Sequence, residues 1–230
     1  MNVLLLRLAG PMQAWGTQSR FTARDTGQEP SKSGVIGLLC SALGMARAEP
    51  VDNLANLRMG VRVDREGSMK RDYQTAGGKN LKGENYGVIT ADGKSKRAVT
   101  SHRYYLADAS FLVGIAGEDL SLLKKIHLAL KNPRWPLFLG RKAFPPSEPL
   151  YIADGLKINS SLSEALKMHP GVERRKDKVT SKIRFVLEDE NGENVRIDQP
   201  LVPFSERLYG PRNVKVHFIA AKQIPLEQEE

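Results

Sequence analysis

Apolar positions along this chain follow two rhythms, and the order in which those rhythms alternate sketches a fold. Residues 3–9 form an apolar run broken only by Arg7, the pattern of a strand covered on both faces. Val35, Ile36, Leu38, Leu39, Ala42 and Leu43 then fall at i, i+1, i+3, i+4, i+7 and i+8, one face of a helix, with Ser33 as its expected N-cap and Gly44 as its stop. Residues 52–57 can add a helical turn. Met59, Val61 and Val63 alternate with Gly60, Arg62 and Asp64, as in a half-buried strand. Residues 104–116 read as one strong strand closing at Gly117. Leu120, Leu123, Ile126 and Leu130 share a helical face over residues 118–130, stopped by Asn132-Pro133. Residues 150–153 make a further short strand. The order is β-α-β, a long insertion, then β-α-β, which predicts an α+β, ferredoxin-like (RRM-like) body of the kind RNA-recognition modules use.

Both rhythms fail between residues 65 and 103. Gly67, Gly77, Gly78, Gly83, Gly87 and Gly93 punctuate that stretch, and apolar clusters are almost absent. A structureless loop of that length does not suit a compact domain unless it has a function. We expect a projecting hairpin, with residues 86–90 and 97–101 as its arms. The last third changes texture. Ser161 and Glu164 form a capping box. Ile183, Phe185 and Leu187 alternate with polar neighbours, and Asn191-Gly192 predicts a type I′ turn into Val195 and Ile197. Val214, Val216 and Phe218 alternate near the end. The expected division is therefore residues 1–155, with the insertion at about 65–103, and a small β-rich lobe over 156–230. Residues 227–230 read as a solvated tail.

Composition changes this picture in one respect. Hydrophobic content of 40% and charged content of 27% are ordinary, but 35 Lys and Arg against 26 Asp and Glu give a net charge of +9. Such a surplus fits a polyanion partner, and equally a well-solvated surface. Cys40 is the single cysteine, which excludes an internal disulfide framework and points to a reducing cytoplasm. The first apolar run is too short for a membrane span or a signal sequence and contains Arg7, so a soluble, cytoplasmic protein without a membrane partner is expected. His102, His127, His169 and His217 are scattered without ligand spacing, and neither a Walker loop nor a dinucleotide fingerprint occurs. No metal and no cofactor are expected.

Clustering favours the polyanion. Lys79, Lys82, Lys94, Lys96, Arg97 and Arg103 occupy the insertion against Glu84 and Asp92. Arg71-Asp72-Tyr73-Gln74-Thr75 precedes most of them, and Ser101-His102-Arg103-Tyr104-Tyr105 closes the segment. Arg141 and Lys142 follow Gly140, and Arg174, Arg175, Lys176 and Lys178 make another patch. Aromatic rings interleaved with cations suit single-stranded RNA, whose bases stack while its phosphates pair. Two further places carry chemistry. Gly10-Pro11-Met12-Gln13-Ala14-Trp15-Gly16 ends the first strand with an amide and a large ring, where Trp15 either stacks on a base or props the loop. Ser31-Lys32-Ser33-Gly34 opens a helix, where backbone N–H groups favour an anion or are simply capped. His102, with Tyr104 or Lys96 nearby in sequence, offers a route to metal-independent RNA cleavage.

The segment Leu6-Arg7-Leu8-Ala9-Gly10-Pro11-Met12-Gln13-Ala14-Trp15-Gly16 strongly resembles the opening of the CRISPR-associated Cas-five family, in the form found in type I-E Cascade complexes. Pro30 to Leu39, Arg71 to Thr75, Tyr105 to Phe111 and Leu139 to Lys142 resemble further family segments in the same order, with a weaker echo at Phe204-Ser205-Glu206-Arg207-Leu208-Tyr209. The resemblance implies a ferredoxin-like body with a thumb hairpin between its second and third strands. It implies a non-catalytic subunit that binds the 5′ handle of crRNA, caps a backbone of Cas-seven subunits and contacts the large Cascade subunit, meeting target DNA only indirectly. In a sister subtype the equivalent protein is a metal-independent nuclease using Tyr, Lys and His; here Ser101 and Arg103 flank His102, a departure from a Lys-His pair. Gln13, Trp15, Gly16, Lys32 and Ser33 would then form part of the handle pocket. Arg71, Tyr73, His102, Arg103 and Tyr104 would line the thumb base, and Arg141 and Lys142 would grip phosphates.

Overall fold

A computed structural model describes residues 1–19, 22–171 and 181–225. The chain opens with β1 (Asn2–Ala9) and the two-residue strands β2 (Met12–Gln13) and β3 (Ala23–Arg24). Helices α1 (Lys32–Leu43) and α2 (Asp52–Ala55) lead to β4 (Arg58–Arg65). The insertion holds β5 (Ser68–Lys79), β6 (Asn85–Ile89), β7 (Lys96–Arg97) and β8 (Val99–Ala107). Beyond it come β9 (Ser110–Gly117), α3 (Leu120–Lys131), β10 (Tyr151–Lys157), α4 (Leu162–Met168), β11 (Lys182–Glu188), β12 (Asn194–Pro200) and β13 (Tyr209–Ala220). Among the described residues no helix is long and apolar enough to cross a membrane.

Antiparallel sheets dominate this mixed α/β fold. The larger has seven strands in the order β10-β1-β9-β4-β11-β13-β12. Period-2 alternation divides its side chains between two cores. Leu4, Leu6 and Leu8 of β1 join Phe111, Val113 and Ile115 of β9 beneath α1 and α3, whereas Val3, Leu5 and Leu112 face α4. Gly60 and Gly114 are paired across β4 and β9, and a Cβ on either would come within 3.0 Å of the Leu162 side chain. Helix α4 thus settles into a depression that two glycines leave in the sheet. Ser161 caps it by accepting from the Glu164 N–H at 3.2 Å.

The second sheet carries the insertion. β5 and β8 pair over nine registers, from Ser68↔Ala107 to Ala76↔Val99, and β5 alone spans roughly 40 Å at the strand rise. At Gly77, with φ +93°, β5 leaves β8 and pairs with β6 at Gly87, which in turn pairs with β7. A Cβ on Gly87 would lie 2.5 Å from the Gly77 Cα, so this crossover admits only glycine. The long arms are thus β5 and β8, while the expected arm at residues 86–90 belongs to the tip. Sequence pattern conceals β5 because most of its residues are exposed, so no apolar alternation records the strand.

Four other expectations need correction. Residues 104–116 are two strands, β8 and β9, reversed at Asp108 (φ +57°), whose N–H is held by the Pro11 carbonyl at 3.1 Å. The α1 cap is Ser31, whose hydroxyl accepts from the Gly34 N–H at 3.3 Å, and Ser33 lies inside the helix. A turn does form at Asn191-Gly192, closed by the Gly192 N–H to Asp189 O bond at 2.9 Å, but β11 and β12 are not partners. The twelve residues of β13 lie between them and pair with both. Finally, β11 pairs with β4, so the expected separate C-terminal lobe extends the main sheet instead. The basic patch at 174–178 and the tail at 227–230 lie outside the described residues.

Candidate nucleic-acid interface

The first strand ends in a tight internal knot. The Gln13 side-chain amide donates to Leu8 O at 3.0 Å and Ala109 O at 2.9 Å, while its oxygen accepts from the Trp15 indole N–H at 3.1 Å. Gln13 is fully buried and Trp15 is 2% exposed. Their polar groups are satisfied within the fold, so neither can serve as a wall for RNA as expected; Trp15 props the loop. Gly16 is exposed, but a Cβ there would lie 2.5 Å from the Asp25 carboxylate, which gathers the loop through the N–H groups of Thr17 and Gln18. Gly16 closes this loop by close approach.

Lys32 is also 1% exposed, and its ammonium pairs with Glu188 at 3.0 Å. Burial lowers its pKa from the ordinary value, against the opposing charge of Glu188. Its backbone N–H donates to Asp198 at 2.8 Å, and Asp198 is in turn held by Arg212 at 2.9 Å. The α1 start that the sequence offers to an anion is already occupied by a carboxylate of the same chain. The expectation that Lys32 meets RNA is therefore corrected. A lysine in this sequence context carries no mark of the Glu188 that waits 156 residues away.

The knot supports a neighbour that does reach the surface. Ala14 N–H donates to Leu139 O at 3.1 Å, and Gly140 (φ +90°) lies so close that a Cβ would sit 1.8 Å from Ala14 O. That contact fixes the turn carrying Arg141 and Lys142. Along the edge of β8 opposite β5, β3 pairs at His102 and Arg103, and β2 pairs at Leu106 and Ala107. Arg141 fills the gap between them, donating to Tyr104 O at 2.9 Å and Arg24 O at 3.4 Å, with its guanidinium 5.4 Å from the Phe144 ring centroid. Arg141 is thus a clamp as well as a charge. Burial and then the charge of Arg103 lower its pKa, with Asp25 and Asp72 acting in the other sense. Three arginines, Arg24, Arg103 and Arg141, therefore share a small region where their mutual repulsion favours an incoming anion.

The base of the inserted hairpin presents two faces. Cross-strand pairing places Arg71 opposite Tyr104 and Tyr73 opposite His102, so all four side chains share one face. Tyr73 is 58% exposed, and its ring lies 5.4 Å from that of His102. Arg103 pairs with Asp72 on the other face, with Tyr105, whose ring packs 5.9 Å from Phe144 against the body. The structure thus gathers Arg71, Tyr73, His102 and Tyr104 and sets Arg103 beside Arg141.

On the other side of the 139–142 turn lies a cleft of about 400 Å³, lined in part by Ser33, Gly37, Arg47, Trp135, Lys142 and Phe204. Ser33 and Lys142 meet there. Arg47, Trp135 and Phe204 were not among the expected site residues; the available hints were Trp135 between Pro133 and Pro136, a ring in a segment too punctuated to be core, and Phe204 at the head of the weak family echo over residues 204–209. Among the described residues no group of three His, Cys, Asp or Glu side chains is placed to hold a metal ion.

Comparison with known proteins gives a concordant result. The family model described as CRISPR-associated protein (Cas_Cas5) matches residues 3–215. The CRISPR system Cascade subunit CasD of Escherichia coli (strain K12) is 35% identical over 164 residues, covering 66% of this chain and 70% of that protein. A solved structure described as a crystal structure of a Cas protein is 43% identical, with a TM-score of 0.77 and 98% of each chain covered. A chain of a CRISPR RNA-guided surveillance complex is 35% identical with a TM-score of 0.77, over 96% of this chain and 92% of its own.

Proposed function

The chain belongs to the Cas5 family of CRISPR-associated proteins, and from that premise we propose that it is a non-catalytic subunit of a Cascade-type surveillance complex that binds the 5′ handle of crRNA. The observation that carries this reading is the 139–142 turn. It sets Arg141 beside Arg24 and Arg103 at one face of the hairpin base and carries Lys142 to the cleft on its other side, so cations follow one another around the turn as a track. Phosphates along it would pair with Arg24, Arg103 and Lys142, and bases that pass to the opposite face of the hairpin would stack on Tyr73 or His102. The order β10-β1-β9-β4, with α1 and α3 on one face, supports the ferredoxin-like reading of the body. The inserted hairpin then acts as the thumb, wedged between guide and a Cas-seven backbone subunit. Capping of that backbone, contact with the large subunit and an indirect role toward target DNA follow from the same reading.

Binding of the purified chain to its own repeat RNA, followed through a salt titration in EDTA, tests this. Affinity for the handle segment over a scrambled RNA, falling steeply with salt and without cleavage, is the expected result. Specific cleavage in EDTA that disappears in His102→Ala would replace it with the endoribonuclease reading. Equal affinity for handle and scrambled RNA would remove the handle assignment.

A further inference from the structure

Helix α1 contains two glycines, Gly34 and Gly37, both outside its buried face, and one of them is unexplained by packing. A Cβ at Gly34 would come 2.9 Å from the Trp15 ring, so glycine is required there. At Gly37 a Cβ would meet only the Phe204 ring tip, at 4.0 Å. An alanine fits at residue 37, and in mid-helix it would stabilise α1 by about 0.5–1 kcal/mol relative to glycine. Gly37 lies in the floor of the 400 Å³ cleft, where any side chain would project into the space.

The walls of that cleft are built in advance. Arg134 and Trp135 donate their N–H groups to Ala42 O (2.9 Å) and Ser41 O (3.2 Å), which pins the 134–135 segment to the last turn of α1. Opposite, Ser205 N–H donates to Arg47 O at 3.0 Å, and the Arg47 guanidinium donates to Phe204 O at 3.2 Å. The cleft therefore has rings from two separate loops, Trp135 and Phe204, held beside the stretch of helix at Gly37, with the Phe204 ring tip at its edge. Its charged lining residues are Arg47 and Lys142, both cationic, with no carboxylate among the described lining. Trp135 remains 43% exposed.

The geometry points to this cleft as the seat of a single unstacked RNA nucleotide, its base on the bare face of α1 at Gly37 between Trp135 and Phe204 and its phosphate toward Lys142 and Arg47. The volume suits one nucleotide, the rings suit a π-face, and the charge suits one phosphate. Gly37 is then a specificity-determining residue: it keeps the floor flat at the expense of helix stability. The inference rests on the RNA-binding reading above and names where along the track a base leaves the stack.

Gly37→Leu fills the floor and Gly37→Ala fills it less. Binding of a handle RNA carrying 2-aminopurine at successive positions is compared among the parent, these two variants and Tyr73→Ala at the hairpin base. One position should show strong quenching in the parent that Gly37→Leu abolishes. Gly37→Leu should also bind about tenfold more weakly, the loss of one stacked base. Gly37→Ala should not melt below the parent, since its Cβ meets the Phe204 ring only at 4.0 Å and alanine exceeds glycine in helix propensity. If Gly37→Leu is as stable as the parent and binds RNA unchanged at every labelled position, while Tyr73→Ala weakens binding, the cleft assignment is overturned and the RNA-binding reading stands. If the parent itself binds no RNA, that reading fails first. Should Gly37→Leu fold poorly, Gly37→Ala carries the test: unchanged quenching there, with raised stability, also overturns the assignment.

Discussion

The end of the first strand and the base of the inserted hairpin are built from similar residues and used in opposite ways. Both set aromatic rings and polar side chains beside glycines. At the strand end every group is consumed: the Gln13 amide serves two carbonyls and the Trp15 indole, and the ring is buried. At the hairpin base Arg71, Tyr73 and His102 are exposed on a shared face. The difference is the number of internal partners, not residue type. A side chain whose hydrogen-bonding capacity is met inside the fold is scaffold, however suggestive its chemistry. The two regions are nevertheless linked, because the buried knot holds the Gly140 turn that brings Arg141 to the hairpin edge.

That contrast can be broken most forcefully at Trp15. Trp15→Ala should cost about 3–5 kcal/mol of unfolding free energy, since it empties a core site and orphans the Gln13 oxygen. Urea denaturation measures the loss, and RNA affinity per folded molecule should stay near that of the parent. A stable variant that no longer binds RNA would make Trp15 a ligand after all. The next effect separates body from hairpin by pH. Burial, and then the charges of Arg7 and Arg62, push the His169 pKa down to about 4 from 6.5. The unfolded chain therefore takes up a proton that the folded chain refuses. Stability is fully present above pH 6.5 and declines as pH falls toward 4, by on the order of 3 kcal/mol. His169→Gln should flatten that part of the pH–stability profile without altering RNA binding at neutral pH.

At the hairpin base the signs reverse. Tyr73→Ala should leave the denaturation midpoint almost unmoved yet weaken RNA binding by about 1–3 kcal/mol, read by fluorescence anisotropy. Equal losses in stability and binding would erase the contrast. The smallest effect belongs to Lys142→Ala, which should weaken binding only a few-fold and reduce the slope of log affinity against log salt by about one. Arg141→Ala at the adjacent position should cost binding and stability together, because its guanidinium also clamps Tyr104 O.

Local signals in the sequence announced what depends on local physics. The apolar face of α1, the left-handed stop at Gly44 (φ +76°) and the Ser161 cap are set within a few residues and were readable there. The long-range choices were not. Which strand β11 would join, the pairing of Lys32 with Glu188 and the insertion of β13 beside β11 depend on residues more than twenty positions away. The same holds for the candidate site. Arg71, Tyr73 and His102 were legible because an exposed hairpin leaves side chains where their chemistry suggests. Gln13, Trp15 and Lys32 were misread because burial comes from elsewhere in the chain. Arg47, Trp135 and Phe204 come from three separate segments, only the last of them in a family echo, and meet only through three-dimensional packing.

The place of β1 in the main sheet has a consequence for how such a molecule is made. Its partners are β9 and β10, which begin more than a hundred residues later. At translation rates of about 5–20 residues per second, the strand at residues 2–9 waits on the order of ten seconds before either neighbour exists. During that interval its leucines are available to anything else with an unpaired edge. The long hairpin is synthesised inside this interval and lengthens the wait, and its own exposed Met69, Leu81, Val88 and Ile89 add to the apolar surface on offer. A polypeptide stalled before β9 would hold a finished strand with no sheet to enter, and would be handled by the cell as an unfolded chain.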